Sequence, residues 1–507
     1  MTELLTAAQM RSHERAAIES GQATGLELME RAGRGVVAAV FEEWPELAKA
    51  PHRAVVLCGP GNNGGDGFVV ARLLAEWGWE VEPFLYGDPD RLPPDARVNY
   101  ERWRALGPVA ALDERAGAAA RASDLVVDAL FGTGLTRPVT GLDAVLQGAG
   151  GARVVSVDLP SGLCSDSGRV LAGQGAGVLP GQLTVTFHTM KPGHVLADGP
   201  WLCGKTVIAD IGLRPAAPDA AIARCVMPPE RGALSKASGH KYAHGHALIL
   251  SGGAGRTGAA RLAARGALRI GAGLVTLGVP GSAQMEVAAQ VTAIMLRRVD
   301  DADALAGVLE DTRLNALCLG PGLGLGDEQA ALVAAALKGG RATVLDADAL
   351  ALVARDASLF AALHETCILT PHAGEFARLF PDIAEKLSAI PTAGPAYSRV
   401  DATRAAAERA GCVVLFKGPD TVIAAPDGRC SVNAAVYDRA APWLATAGSG
   451  DVLAGFITGL LARGVDPMQA AEAAAWLHVD CARRFGPGLI AEDIPEALPG
   501  VFRDLGL

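Results

Sequence analysis

The fold of the first half of this chain is decided by the stretch Cys58-Gly59-Pro60-Gly61-Asn62-Asn63-Gly64-Gly65-Asp66-Gly67. It follows an apolar run, residues 54–57, that is typical of a buried strand, and it precedes residues 68–74, which have the pattern of a helix. A glycine-rich loop between a strand and a helix of an α/β sheet is a common binding site for phosphates and dinucleotides. A plain turn needs neither two adjacent asparagines nor an aspartate. The stretch therefore predicts a ligand site rather than the alternative, a purely structural turn.

Composition narrows the class of protein. The chain has 507 residues, of which 50% are hydrophobic and 5% aromatic, enough for roughly two to four α/β domains. The net charge of −10 and the lack of a Lys/Arg-rich run argue against nucleic acid as a partner. No apolar run is long enough to span a membrane, and the N-terminus has no signal-peptide pattern. The nine cysteines show no CxxC spacing, which predicts reduced, buried thiols in a cytoplasmic protein.

Alternating strands and helices in the first half predict a doubly wound parallel sheet. The predicted strands are residues 54–57, 81–86, 125–129, 154–157, 183–187 and 206–209. Residues 6–44 predict two helices that either cover a sheet edge or form a subunit contact in the homo-oligomer that we expect. A Pro- and Ala-rich stretch, residues 214–221, is interpreted as a linker between domains 1–213 and 222–507.

The second half repeats the strand–helix alternation and predicts a second α/β domain. The predicted strands are residues 247–250, 274–279, 317–319, 342–345, 367–369 and 413–416, with a hairpin of 421–425 and 430–432. The predicted helices are residues 259–269, 452–462 and 467–485.

Three oxygen-bearing side chains follow strands of the first domain: Asn63, Asp128 and Ser161. The carboxyl ends of parallel strands converge on one crevice, so we expect these side chains to meet there. One carboxylate with neutral oxygens suits a hard, weakly charged cation better than Mg²⁺. The alternative interpretation is that Asp128 and a second aspartate, Asp158, cap the helices that follow their strands.

At these motifs the first domain resembles NAD(P)H-hydrate epimerases. The resemblance covers most of residues 6–210 and includes Leu28-Met29-Glu30-Arg31-Ala32-Gly33 and Lys191-Pro192-Gly193. It implies a Rossmann-like three-layer αβα domain, a potassium ion at Asn63, Asp128 and Ser161, and a catalytic Asp158 that transfers protons. The implied substrate-binding residues are Asn62, Asn63, Gly64, Gly65, Asp66, Gly132, Thr133, Gly134, Leu135, Thr136, Arg137, Pro138 and Asp158.

In the second domain, Gly448-Ser449-Gly450-Asp451 opens an apolar helix. Successive amides at a helix N-terminus form an anion hole, and a carboxylate there can accept a proton from an attacking hydroxyl. A simple helix cap is the alternative. The motif resembles the signature of the ribokinase-like superfamily, which implies an α/β domain of that type with Asp451 as the catalytic base.

Further motifs resemble nucleotide-dependent NAD(P)H-hydrate dehydratases over about residues 236–493: Gly258-Ala259-Ala260, residues 320–324, 369–375 and 417–421. The Ala447-Gly448-Ser449 context departs mildly from relatives that have Gly or Thr there. The resemblance implies a Mg²⁺-bound nucleotide, which is ADP or ATP, with ADP favoured. The implied substrate-binding residues are Ala259, Gly322, His372 and Asp451, and the implied nucleotide-binding residues are Lys417, Gly418, Pro419, Asp420, Thr421 and Gly450. His372 alone would more often be a structural histidine.

Together the two resemblances imply a repair enzyme for hydrated nicotinamide cofactors, NADHX and NADPHX. The first domain would interconvert their R and S forms at C6. The second would dehydrate the S form to NAD(P)H, with ADP giving AMP and phosphate. One alternative is a vitamin or sugar kinase fused to a dinucleotide-binding module. In a non-enzymatic alternative, the first domain is a binding or scaffold module.

Overall fold

The computed structural model describes residues 3–215, 219–236 and 239–507. The chain divides into two compact units. The first ends at Ile222 and also includes Ala389–Ser398, and the second consists of Ala223–Ser388 and Arg399–Leu507. The division falls one residue beyond the predicted linker 214–221, of which residues 216–218 lie outside the described residues. The sequence did not predict that Ala389–Ser398 belongs to the first unit.

The first unit contains strands β1 to β8 and helices α1 to α8. The strands are β1 Glu3–Leu4, β2 Arg53–Cys58, β3 Glu80–Leu85, β4 Ala110–Ala111, β5 Leu125–Ala129, β6 Arg153–Val157, β7 Leu183–Phe187 and β8 Lys205–Ala209. The helices are α1 Ala7–Glu19, α2 Gly25–Glu43, α3 Asn62–Glu76, α4 Pro94–Arg104, α5 Arg115–Arg121, α6 Asp143–Gly148, α7 Pro192–Val195 and α8 Gly199–Leu202.

Strands β2 to β8 form one parallel sheet in the order β4-β3-β2-β5-β6-β7-β8. Helices cover both of its faces. Alternate residues of β2 pack in an apolar cluster with α2, α3 and α4, and the remaining ones pack with α5 and α6. This arrangement confirms the predicted three-layer αβα architecture. The strand order reverses between β2 and β5, which is where open α/β sheets bind ligands.

The second unit contains strands β9 to β18 and helices α9 to α21. The strands are β9 Ala223–Cys225, β10 His246–Leu250, β11 Leu274–Val279, β12 Met295–Arg298, β13 Ala316–Leu319, β14 Ala342–Leu345, β15 Cys367–Leu369, β16 Val413–Phe416, β17 Asp420–Ala424 and β18 Cys430–Ala434. The helices are α9 Arg231–Leu234, α10 Gly258–Arg269, α11 Gln284–Ala288, α12 Ala302–Val308, α13 Asp327–Lys338, α14 Ala347–Arg355, α15 Ala357–Ala361, α16 Ala373–Leu379, α17 Pro381–Ser388, α18 Arg399–Ala410, α19 Ser449–Ala462, α20 Pro467–Phe485 and α21 Asp493–Asp504.

These strands are arranged in the order β9-β18-β17-β16-β15-β14-β13-β10-β11-β12. The run from β16 through β13 and β10 to β12 is parallel, and β16, β17 and β18 pair antiparallel, as the predicted hairpin requires. Helices α10, α19, α20 and α21 share one large apolar cluster with the sheet. The predicted α/β class is confirmed for both halves of the chain.

Two predicted loops are shorter than expected. Helix α3 begins at Asn62, so most of the glycine-rich stretch is helical rather than loop. The glycines permit close packing of this helix: a Cβ on Gly65 would lie 2.6 Å from Met29 Sδ, and one on Gly67 would lie 2.7 Å from Ala129 Cβ. Similarly, strand β17 begins at Asp420, one residue before the predicted start at Thr421.

The nine cysteines, all within the described residues, form no disulfide bond, and eight of them are buried, in agreement with the predicted burial. Within the described part of the chain, no helix combines the length and the apolar character that a membrane crossing requires.

Candidate active sites

The first site lies at the carboxyl edge of the first sheet, where the strand order reverses. Asn63 stands in the first turn of α3 after β2, Asp128 is near the end of β5, Asp158 follows β6 and Lys191 follows β7. Because β2, β5, β6 and β7 are neighbours in this sheet, these four side chains are brought to one crevice.

Asp128 and Ser161 form a buried pair. The Ser161 hydroxyl donates to Asp128 Oδ1 at 2.6 Å, and the Ser161 backbone N–H donates to Oδ2 at 2.8 Å. The same hydroxyl accepts from the Phe131 N–H at 2.9 Å. Burial raises the pKa of Asp128, against the opposing effect of these hydrogen bonds. In residues 3–215, 219–236 and 239–507, no cationic side chain pairs with this carboxylate.

Asp158 has a φ of 67°, in the left-handed region that a residue other than glycine rarely adopts. Its Oδ1 accepts from the Thr186 hydroxyl at 2.9 Å and from Lys191 Nζ at 3.0 Å, and its Oδ2 accepts from the Thr133 N–H at 3.0 Å. Burial, the largest single effect, acts to raise the pKa of Asp158, but the charge of Lys191, the hydrogen bonds from Lys191 and Thr186 and the nearby His194 together outweigh it, and the pKa lies below its usual value. The sequence suggested an unengaged carboxylate. The structure instead shows one that is ion-paired and held ionised.

Lys191 is the partner that sequence reasoning missed. Its side chain is 1% exposed, and Nζ also donates to the Thr186 hydroxyl at 2.8 Å and to the carbonyls of Phe187 and Thr189. His194 supports the pair, because its Nε2 contacts the Asp158 carbonyl at 2.8 Å. Burial and the nearby Lys191 lower the pKa of His194 to about 4, so the ring is neutral. The Lys191-Pro192-Gly193 motif was the available signal, although it did not reveal the pairing with Asp158.

The other predicted epimerase residues surround this pair. Gly132 adjoins both Asn63 and Asp158, since a Cβ there would lie 3.0 Å from Asn63 Oδ1 and 2.5 Å from Asp158 Oδ2. Asn63 Nδ2 is buried without a hydrogen-bond partner. Gly64 and Gly65 are buried and serve helix packing, whereas the exposed members of the predicted set are Asn62, Gly134, Thr136 and Arg137; Pro138 is half-buried and Leu135 is buried.

Asp66 is a further acidic group at this site, besides Asp128 and Asp158. It is buried within α3, and burial, followed by the nearby Asp158 and Glu14, raises its pKa well above the usual value. Asp66 and Asp158 therefore have pKa values shifted in opposite directions. Such a divergence is typical of a protonated acid beside an ionised base.

The second site lies at the carboxyl edge of the second sheet, against the N-terminus of α19. Gly448 is the N-cap of this helix with a φ of 87°. Only glycine suits this position, because a Cβ would also lie 2.7 Å from Leu262 and 2.9 Å from Ala491. The Ser449 hydroxyl donates to the Leu444 carbonyl at 2.9 Å, which fixes the approach to the helix. Asp451 stands in the first turn, as predicted.

A cluster of charged groups surrounds Asp451. Lys417 Nζ lies 2.7 Å from Asp346 Oδ1 and 3.8 Å from Glu375 Oε2. A Cβ on Gly450 would lie 3.5 Å from the same Nζ, so the ammonium adjoins the start of α19. Burial, followed by the charge of Asp346, raises the pKa of Asp451 from 3.8 to about 7, although Lys417 acts against this. Asp451 can therefore exchange a proton near neutral pH.

Asp346 and Glu375 were not identified from the sequence. Asp346 is 2% exposed and also accepts from the Thr370 hydroxyl at 2.7 Å. Both residues follow neighbouring parallel strands, β14 and β15, on the same edge as Lys417 after β16. A search for carboxylates just beyond predicted strands would have found them.

The remaining predicted residues of this domain fall into three places. Ala259 and Gly322 are neighbours, since a Cβ on Gly322 would lie 3.7 Å from Ala259 Cβ. His372 is the N-cap of α16: its Nδ1 accepts from the Gly374 N–H at 3.0 Å, while the side chain is 57% exposed. In the turn before β17, the Gly418 N–H donates to the Thr421 hydroxyl oxygen at 3.1 Å. Pro419 lies in the same turn, and Asp420 adjoins it at the start of β17.

The two sites differ in how they could hold a metal ion. Within the described ranges, no group of three or more His, Cys, Asp or Glu side chains could hold a metal ion by itself. In the second site, Lys417 already occupies the space between Asp346 and Glu375. A Mg²⁺ ion there would depend mainly on nucleotide phosphates and water, which is its usual mode. In the first site, the unpaired buried charge of Asp128 fits a monovalent cation, because a buried charge requires a partner.

These geometries place one cluster of buried acidic and basic groups at the carboxyl edge of each sheet, as expected of an enzyme with two sites. Comparison with known families agrees. Residues 25–193 match the family described as YjeF-related protein N-terminus, and residues 247–492 match that of NAD(P)H-hydrate dehydratase. The chain belongs to the family of bifunctional NAD(P)H-hydrate repair enzymes. Its activities are NAD(P)H-hydrate epimerisation and NAD(P)H-hydrate dehydration, and the kinase alternative is not favoured.

Relatives named as bifunctional NAD(P)H-hydrate repair enzymes are similar to this chain over nearly their whole length. The enzyme of Moorella thermoacetica is 37% identical, covering 99% of this chain and 97% of its own. A protein of Rhodobacter capsulatus named NAD(P)H-hydrate epimerase is 55% identical over 38% of this chain and 92% of its own. Among solved structures, the Bacillus subtilis ADP/ATP-dependent NAD(P)H-hydrate dehydratase co-crystallised with ATP/Mg²⁺ is 29% identical. It covers 55% of this chain and 94% of that one, with a TM-score of 0.44.

Proposed function

We propose that the first unit inverts C6 of the hydrated nicotinamide ring through proton transfer between Asp158 and the C6 hydroxyl. The observation that carries this proposal is the buried Asp158–Lys191 ion pair at 3.0 Å, which keeps the carboxylate ionised beside the exposed loop 132–138. The amides and Arg137 of this loop suit the phosphates of a dinucleotide.

One route through this site is reversible ring opening. Asp158 takes the hydroxyl proton as the C6–O bond becomes a carbonyl, and the C6–N1 bond breaks. Asp66, which burial keeps protonated, supplies the proton that N1 gains. Rotation of the open form and the reverse of these steps close the ring with the opposite configuration. A route through loss and return of water would use the same acid and base.

Potassium is the cation proposed for Asp128, Ser161 and Asn63. Asp128 supplies the only formal charge of the set, and the Ser161 hydroxyl and the Asn63 amide supply neutral oxygens. A bound cation would neutralise Asp128 and orient the loop from Phe131 onward through the Ser161 hydroxyl, which accepts from the Phe131 N–H.

In the second unit, Asp451 is proposed to accept the proton of the C6 hydroxyl as that oxygen attacks the terminal phosphorus of ADP or ATP. The bond between the terminal phosphorus and its bridging oxygen breaks, so that AMP leaves from ADP or ADP leaves from ATP, and the amides at the start of α19 together with Lys417 hold the transferring group. Hydroxide is a poor leaving group and phosphate a good one. The N1 lone pair then expels phosphate from C6, and loss of the C5 proton restores NAD(P)H. Mg²⁺, when bound with the nucleotide, would neutralise charge on its phosphates.

The two assignments are tested in the full-length protein with Asp158→Asn. We expect this variant to lose R-to-S conversion while it dehydrates the S-hydrate at the parental rate, because the two activities use separate sites. Asp124→Asn, which changes a more exposed carboxylate of the same unit, is the matched control and should retain both activities. Normal R-to-S conversion by Asp158→Asn would refute the role of this residue.

A further inference from the structure

The segment Ala389–Ser398 belongs to the first unit although it lies far along the sequence. Three main-chain groups fix it there. The Gly394 N–H donates to the Thr136 carbonyl at 3.0 Å, the Ala172 N–H donates to the Pro391 carbonyl at 2.8 Å, and Arg169 donates to the Ala389 carbonyl at 2.6 Å. The segment is therefore anchored at its beginning and its middle.

Its central part packs directly on the predicted substrate loop, residues 132–138. A Cβ on Gly394 would lie 2.5 Å from the Leu135 carbonyl oxygen, so no larger residue fits without displacing backbone. Ala396 is 7% exposed and shares an apolar cluster with Leu135 and Leu171. The Ala396 N–H also donates to Cys164 Sγ at 3.3 Å.

The same loop is held at its other end by the proposed base, because the Thr133 N–H donates to Asp158 Oδ2. Loop 132–138 thus lies between Asp158 and the segment Ala389–Ser398. We propose that this segment positions the loop for binding the hydrated dinucleotide, with Gly394 as the positioning residue. The inference rests on the proposed assignment of loop 132–138 to the substrate.

In relatives named as epimerases, the matched length does not include both the loop and the segment Ala389–Ser398. The proteins of Rhodobacter capsulatus and Roseobacter litoralis match over 199 and 231 residues. Neither span can include both loop 132–138 and residue 389, which are about 250 positions apart in this sequence. We infer that support of the loop by a distant segment is a property of the two-unit chain, and that it acts on substrate affinity rather than on the chemistry at Asp158.

The test uses full-length Gly394→Val, which either displaces the Leu135 carbonyl or drives the segment away from the loop. Either outcome disturbs one hydrogen bond to the loop and the packing of the loop. Such a loss corresponds to about a 3- to 10-fold change in substrate affinity. We expect KM for the R-hydrate in epimerisation to rise by that factor, with kcat changed less than twofold. Ala393→Val places the same side chain at the adjacent exposed position and should leave both constants unchanged.

A second variant keeps the test informative if Gly394→Val fails to fold. Arg169→Ala removes the anchor to the Ala389 carbonyl without altering the segment or the loop, and should raise the same KM by a smaller factor. Dehydration of the S-hydrate, measured on every variant, should stay parental. An unchanged KM in Gly394→Val, or a parallel loss of dehydration, would overturn the positioning role. Because Asp158→Asn tests the epimerase site itself, failure of this inference is distinguishable from failure of the proposed function.

Discussion

Replacing Asp451 by Asn removes the proposed base of dehydration while keeping the size of the side chain in the first turn of α19. A general base typically contributes about 10²–10⁴-fold to a rate, or about 3–5 kcal/mol of activation free energy. We therefore expect kcat/KM for the S-hydrate to fall by at least about 10²-fold. Nucleotide binding and epimerisation should be retained.

The raised pKa of Asp451 also affects folding stability, and here the substitution by Asn is expected to be favourable rather than harmful. A carboxyl group whose pKa rises from 3.8 to about 7 on folding loses stability as pH increases from about 4 to 7, because the unfolded form ionises first. The full shift corresponds to at most about 4 kcal/mol at pH 8. Asp451→Asn should thus melt at a higher temperature than the parent at pH 8 and at a similar temperature at pH 4.

The assay is the steady-state appearance of NADH from purified S-hydrate with ADP or ATP, followed by absorbance across a pH series. The parent should gain kcat/KM with increasing pH, with a midpoint near 7, since the base must be ionised. Asp451→Asn should lack this rise. If the variant dehydrates the S-hydrate within a few-fold of the parent, Asp451 is not the catalytic base and the reasoning is refuted.

Three further outcomes are expected. Asp128→Ala should abolish epimerisation but not dehydration, and the parent should lose epimerisation when potassium is replaced by tetramethylammonium; indifference to potassium would contradict the cation site. Lys191→Met should raise the pKa of Asp158, because burial then acts without the opposing charge of Lys191, so the acid limb of the epimerisation pH profile should move to higher pH; an unmoved limb would exclude the ion pair from that role. Residues 1–222 and 223–507, expressed separately, should each unfold cooperatively by circular dichroism; an unfolded half would show that it depends on the other.

Local pattern predicted most of the secondary structure. Runs such as residues 125–129 and 274–279 became strands β5 and β11 with the predicted bounds, because apolar and β-branched residues there are bounded by polar or turn-forming ones. The start of α3 was placed too late, since the glycines were interpreted as a loop. Their purpose is tertiary: they admit Met29 and Ala129 against the helix, which no local pattern shows.

Site residues could be predicted from the sequence where their position at the end of a strand or the start of a helix is sufficient to place them. Asp128 and Asp158 follow neighbouring strands, and Asp451 begins a helix, so the sequence could place them. Partners across the sheet could not be assigned in the same way. The pairing of Lys191 with Asp158 depends on side-chain direction at the strand ends, as does the pairing of Lys417 with Asp346, 71 positions apart in sequence.

The central claim, that one chain repairs both hydrate epimers, is tested most directly by incubating the full-length protein with a known mixture of R- and S-NADHX and excess ADP or ATP. The measurement is the final amount of NADH, followed by absorbance, together with the free phosphate released. The account predicts that NADH reaches the sum of both epimers, with one phosphate per NADH. A final amount equal to the S fraction alone would exclude the epimerase, and a stable phosphorylated product without NADH would contradict the dehydratase.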